Sequence, residues 1–216
     1  MIEVYLFVHP LCPECLASEK RILQMVKNEQ RKIQFKFLPL LNLQTFQRYL
    51  STTCNHDCNL NDRNKLFEDS YSAALDYKAM QLQGKKKGQQ FLMALQEAVQ
   101  HNKNYSEELV KQTVIDLHGD WEMFTTDRQS ENVKESFETD QIIAKEMSVS
   151  FASSMVYFNY TCDQDYGILV EEHPTDDILA DLLAMDQPET IAPLVKENTV
   201  ITHQNLADTY LRLLEN

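Results

Sequence analysis

The feature that most constrains this chain is Cys12-Pro13-Glu14-Cys15, which stands directly behind an apolar run from Ile2 to Val8 broken only by Glu3. Such a run reads as a central strand buried on both faces. Pro10 and Pro13 punctuate its exit, and from Cys15 to about residue 30 the apolar positions Leu16, Ile22, Leu23, Met25 and Val26 fall at helical spacing. Residues 33–41, IQFKFLPLL, read as a second strand, less buried at Lys36 and Pro39. Strand, helix and strand in succession form a right-handed βαβ unit if the strands are parallel.

The position of the cysteines gives that unit its chemistry. Unpaired N–H groups and the helix dipole stabilise a thiolate at a helix N-terminus. Cys12 is expected to be the exposed nucleophile, and Cys15, one turn inward, the buried thiol that resolves a mixed disulfide. Pro13 removes a donor where the helix has one to spare and presets φ. Glu14 sets a carboxylate beside the thiolate, against the dipole, so Cys12 is expected to be less acidified than in a strongly oxidising pair. Half of a zinc site, or two inert cysteines, are the other readings of the pair. A CxxC on a βαβ unit in a cytosolic chain favours redox chemistry.

The remainder is mostly helical. Helical patterns run over 63–83, 88–101, 106–118 and 130–147, with Gly84 and the lysines 85–87 as a stop between the first two. Ser106 and Ser130 read as N-caps. Strand character returns at 154–160 and 166–171, joined by a hairpin-length connection that holds Cys162, read as a lone thiol. Pro174, Asp176 and Asp177 open a helix to about residue 185, and Thr202 is expected to cap a last one over 203–214. The organisation is then 1–50 with the CxxC, a helical block over 51–147, and 148–216.

Charge and cysteine usage narrow the function. A formal net charge of −13 is ill suited to nucleic acid phosphates or an anionic membrane surface, which need a positive footprint. The apolar N-terminal run is too short for a signal peptide and has no basic lead, and nothing approaches the ~20 apolar residues of a membrane span. A cytoplasmic location is expected, where thiols are kept reduced and cysteines serve redox or metal chemistry. The charge is uneven. Residues 20–36 hold six Lys/Arg against Glu29, and residues 163–197 hold ten Asp/Glu against Lys196. Either this is solvated surface, or opposite patches steer a protein partner.

Cys54-x-His56-x-Cys58 is a second cluster, within a polar loop that starts at Ser51. Three readings stay open: incidental or regulatory thiols, an auxiliary disulfide, or a zinc site completed by Cys12, Cys15 or His9. No cofactor is otherwise expected. His101, His118, His173 and His203 have no constellation around them and read as surface or packing residues, and Trp121 as core.

The stretch Tyr5-Leu-Phe-Val-His-Pro-Leu-Cys-Pro-Glu-Cys15, the helix end from Tyr77 to Lys87 and the late hairpin together resemble the DsbA-like SpxH/YjbH proteins of Gram-positive bacteria, over nearly the whole chain. The resemblance implies an α/β thioredoxin fold (βαβ…ββα) with an all-helical insertion and a C-terminal helical extension. It implies a cytosolic adaptor that presents the redox-responsive regulator Spx to the ClpXP protease; wider DsbA relatives are thiol-disulfide oxidoreductases or isomerases. Two departures stand out. Some members carry a His-rich, metal-associated stretch ahead of the first strand, whereas this chain starts at Met1-Ile2, which points away from zinc. Where thioredoxin-fold oxidoreductases place a cis-proline facing the CxxC, aligning Val149 to Tyr157 puts Ser153, after Ala152. A cis bond before a non-proline residue costs about 3–4 kcal/mol, so the Ala152–Ser153 bond is expected to be trans and the substrate-docking edge altered. An adaptor that keeps a dithiol pair is the first reading, an oxidoreductase using Cys12 and Cys15 the second, and a scaffold with unreactive cysteines the third.

Overall fold

β1 (Ile2–Val8) is the strand around which the molecule is built, in a computed structural model that describes residues 1–54, 58–101, 104–160, 166–171, 173–184 and 200–202. Its side chains alternate between two apolar layers. Ile2, Val4, Leu6 and Val8 enter the larger core, and Tyr5 and Phe7 a smaller one on the other face. That explains the nearly unbroken apolar run, since neither face meets water.

β1 pairs in parallel with β2 (Ile33–Pro39) and antiparallel with β3 (Ser154–Asn159). β4 (Tyr166–Val170) pairs antiparallel with β3, and β5 (Val200–Thr202) with β4, so the described sheet has the order β2-β1-β3-β4-β5. Helix α1 (Pro13–Asn28) links β1 to β2. α2 (Leu43–Thr53), α3 (Leu60–Leu82), α4 (Lys85–Gln100), α5 (Glu107–Asp116), α6 (Trp121–Arg128) and α7 (Glu131–Glu146) fill the chain between β2 and β3, and α8 (Asp176–Ala184) follows β4. This is the βαβ…ββα order of a thioredoxin fold with a helical insertion. Among the described residues no helix is long and apolar enough to cross a membrane.

The helices start where capping chemistry places them. Ser106 and Ser130 accept from the backbone N–H of Leu109 and Val133, as their sequence positions predict. Asn59 caps α3 with a reciprocal bond to Asp62, which starts that helix three residues earlier than its periodicity suggests. The lysines 85–87 and Gly88 do not form a stop; they are the first turn of α4, and the break is confined to Gly84 at φ 134°. α6 is an addition to the expected elements. Thr202 lies in β5, and the helix expected over 203–214, like the hairpin connection with Cys162, falls outside the described residues.

Buried polar groups tie the insertion together. Lys78 Nζ of α3 reaches Asp140 Oδ2 of α7 at 2.6 Å, and Arg128 Nε of α6 reaches Asp76 Oδ1 of α3 at 2.6 Å. Tyr77 donates its hydroxyl to the Phe37 carbonyl at 2.8 Å, fastening α3 to β2. The uneven charge is partly internal. Arg21 of α1 stands 3.9 Å from Asp176 of α8, and Arg31 donates to the Leu183 carbonyl at 2.7 Å. At the β3–β4 pair Gly167 faces Phe158, whose ring would lie 2.5 Å from any Cβ placed there.

Candidate dithiol site

Cys12 is the N-cap of α1 and Pro13 its first residue. The turn is held by Cys12 N–H to the His9 carbonyl and Cys15 N–H to the Cys12 carbonyl, both 3.1 Å. His9 N–H donates to Cys15 Sγ at 3.3 Å. Both thiols are free. Their environments push them apart. Cys15 gives its S–H to Cys12 and, with the backbone N–H groups of Cys15 and Glu14, lowers the Cys12 thiol below its ordinary value, against partial desolvation. Cys15 is held well above that value by donating to Cys12, by burial and by the Cys12 charge. The outer thiol is therefore the one that gives up its proton more readily.

Glu14 raises Cys12, as expected of a carboxylate beside the thiol, but is the smallest of the contributions, and the thiol is lowered on balance. One expectation is corrected here: Cys12 is not exposed but 9% accessible, and Cys15 1%. The cover comes from α2, from His173 and from the Ala152–Ser153 loop. α2 turns Thr45, Arg48, Tyr49 and Thr52 toward the dithiol. Asn42 caps α2 through Thr45 N–H at 2.8 Å and also donates to the Ser150 carbonyl at 3.0 Å, fixing that helix to the loop before β3. His173, beyond β4, brings Nε2 to 3.6 Å from Glu14 Oε2. The cavity left over the sulfurs is about 20 Å³, room for about one water.

Ala152 and Ser153 face the dithiol as the alignment places them, and both line this cavity. The bond between them is trans, and Ser153 adopts φ 64°, a left-handed conformation uncommon outside glycine. Three contacts impose it: Ser153 N–H to the Phe7 carbonyl at 2.6 Å, His173 N–H to the Ser153 carbonyl at 3.1 Å, and Ser153 Oγ to Ser18 Oγ at 3.4 Å. The serine hydroxyl also lowers Cys15, one of the few groups that does.

Behind the sulfurs lies a polar cluster that sequence reasoning missed. Glu19 of α1 is fully buried and burial pushes its carboxyl up to about 8; Gln96 Nε2 of α4 donates to it at 2.7 Å and to the His9 carbonyl at 3.3 Å. His9 is stacked on Tyr49 with ring centroids 4.2 Å apart, accepts from Leu11 N–H through Nδ1, and is lowered to about 3 by burial. His173 too belongs to the site and not to the packing residues. A signal for Glu19 was present, since it falls between Leu16 and Ile22 on the apolar stripe of α1. Nothing in the sequence marks Gln96 or His173.

Cys54 and Cys58 are joined in a disulfide between the end of α2 and the cap of α3. Of the three readings of that loop, the structure holds the auxiliary disulfide; His56 lies outside the described residues. Among the described residues no group of three or more His, Cys, Asp or Glu is placed to hold a metal.

The thioredoxin family profile matches residues 5–180. In sequence the chain is 28% identical over 203 residues to the ClpXP adapter protein SpxH of Bacillus subtilis, covering 84% of this chain and 66% of that protein. It is 24% identical over 220 residues to the ClpXP adapter protein SpxH of Staphylococcus saprophyticus, covering 97% and 78%. The chain thus spans just under two thirds of the first relative's length. In fold it is similar to the oxidoreductase DsbA of Xylella fastidiosa, with a TM-score of 0.59 at 14% identity over 84% of this chain and 83% of that one.

Proposed function

This chain belongs to the thioredoxin family, and we propose that it works there as a dithiol-bearing adaptor that presents a redox regulator of the Spx kind to the ClpXP protease in the cytoplasm. The observation that carries this reading is the closed dithiol. A thiol-disulfide enzyme must align a protein disulfide with the Cys12 sulfur, but Cys12 is buried beside α2 and His173, and the Ser153 carbonyl is already bonded to His173 N–H. Partner recognition then falls to other surfaces, with the thiol pair as a redox-responsive element. The relatives named as ClpXP adapter proteins support the same direction.

One observation favours a second reading, a thiol-disulfide oxidoreductase: the Cys12 thiol is lowered by its hydrogen bond from Cys15, and the Cys15 thiol is raised. In that reaction Cys12 thiolate attacks a substrate disulfide and expels one substrate thiolate. Cys15 then attacks Cys12 Sγ and expels the other, leaving a Cys12–Cys15 disulfide and a reduced substrate. His173 would have to swing away from Glu14 to admit the substrate.

A reconstituted assay separates the two. The chain should accelerate degradation of purified Spx by ClpXP, and the Cys12→Ser/Cys15→Ser variant should still bind Spx. Insulin reduction should be slow. No acceleration, together with rapid insulin reduction abolished by Cys12→Ser, refutes the adaptor reading in favour of the second.

A further inference from the structure

β2 is an edge strand, and the parallel ladder fixes which of its backbone groups face outward. Ile2 N–H donates to the Lys32 carbonyl, and Leu40 N–H to the Val8 carbonyl. Even-numbered residues of β2 therefore turn their peptide groups to β1, and Ile33, Phe35 and Phe37 turn theirs away from the sheet. One end of this edge is closed: the Phe37 carbonyl accepts from Tyr77, the Pro39 carbonyl accepts from Gln141 Nε2 at 2.7 Å, and Pro39 has no N–H. From Ile33 to the Phe37 N–H it is open, with no partner among the described residues.

This open edge forms the floor of a groove of about 970 Å³ walled by α3 and α4 on one side and α7 on the other. Phe35 and Ile33 are half-buried in it and Leu82 is 54% exposed. Its charge is opposite to that of the chain. Lys85 and Lys86 stand exposed in the first turn of α4 with no acidic partner among the described residues. Lys36 leans on the Tyr5 hydroxyl at 3.2 Å. Asp140, the acid among the described lining residues, is consumed by Lys78. A positive groove on a protein of net charge −13 calls for an acidic occupant, and unpaired N–H and C=O groups at strand spacing call for a peptide backbone.

We propose that the outer edge of β2 binds an extended acidic segment of a protein partner, which adds as a strand between α4 and α7. Alternate side chains of such a segment point to opposite faces. The set on the α3–α4 side, carboxylates, would meet Lys85 and Lys86 beside Leu82, and the apolar set would face Val133 and Ile143 of α7. The surface is separate from the dithiol and goes beyond the adaptor reading.

The test uses a fluorescein-labelled peptide of alternating Glu and Val, and its Lys and Val counterpart, read by anisotropy against the full chain. The Glu peptide should bind and the Lys peptide should not. Binding should weaken with salt, and roughly tenfold or more in Lys85→Glu/Lys86→Glu. Amide hydrogen exchange at Ile33 and Phe35 of the unmodified chain should slow on binding, which a basic patch alone would not produce. Equal binding of the Lys peptide, unchanged exchange at those amides, or displacement of the peptide by equimolar inorganic polyphosphate would each overturn the proposal. Loss of ClpXP stimulation with peptide binding intact refutes the adaptor reading alone; stimulation with no peptide binding refutes this surface alone.

Discussion

Replacing Glu19 by Gln should change how stability responds to pH more than it changes stability itself. Glu19 is fully buried, with Oε1 accepting from Gln96 and Oε2 without a partner. Burial raises its carboxyl from 4.5 to about 8. Between those values the folded chain keeps a proton that the unfolded chain has released, so stability is full below about pH 4.5 and falls as pH rises through 8. At about 1.4 kcal/mol per unit, the whole effect is on the order of 5 kcal/mol, and about 3 kcal/mol is already lost at pH 7. Gln keeps the acceptor for Gln96 and leaves the same orphaned position, so its constant cost cancels from the slope. The assay is guanidinium unfolding followed by far-ultraviolet circular dichroism from pH 5 to 8. Both proteins carry Cys12→Ser/Cys15→Ser so that neither sulfur of the dithiol titrates, and Cys162 is common to both. The gap between the two should shift by about 3 kcal/mol in favour of Gln across that range. Parallel curves, agreeing to about 0.5 kcal/mol throughout, would refute the claim that the fold holds Glu19 protonated.

Cys15→Ala should raise the Cys12 thiol, because the hydrogen bond from Cys15 is the largest influence lowering it; thiolate absorbance against pH measures the change, and an unchanged titration would assign the lowering to the helix N-terminus instead. Asp140→Ala leaves the Lys78 ammonium buried without its 2.6 Å partner and should cost about 3–5 kcal/mol, whereas Lys78→Met/Asp140→Leu should return to within about 2 kcal/mol of the parent; chemical denaturation distinguishes the two. Gly167→Ala should cost about 1–3 kcal/mol through the clash with the Phe158 ring, and adding Phe158→Leu should recover part of it in thermal melts. Asn59→Ala removes the α3 capping box and should cost roughly 0.5–2 kcal/mol in the same measurement.

The first half of the sheet was legible because local rules suffice for it. β1 is apolar on both faces, and the CxxC marks the start of α1 without reference to anything distant. α6 escaped because only Phe124 of its eight residues is buried, too little for a periodic signal. Lys85 to Lys87 misled because basic residues after a glycine suit a helix end and a helix start alike, and only the neighbouring turn decides. The thiols could be named from the sequence, but their cover could not. It depends on Tyr49, Ser153 and His173 arriving from three distant stretches of chain, and no single sequence window contains those meetings. That is also why Cys12 was expected to be exposed.

The pairing of β1 with β3 joins residues 2–7 to residues 154–159. During synthesis the ribosome must therefore emit the whole helical insertion before the middle of the sheet can close. At chain elongation rates of about 5–20 residues per second, β1 waits several seconds with one edge bare and its apolar faces incompletely covered. A nascent chain stalled anywhere in α4 to α7 holds that strand ready for the wrong neighbour. The long-range closure also makes sheet completion a slow step relative to formation of the helices. In a pulse of synthesis, aggregation and chaperone capture should concentrate on chains that have not yet emitted β3.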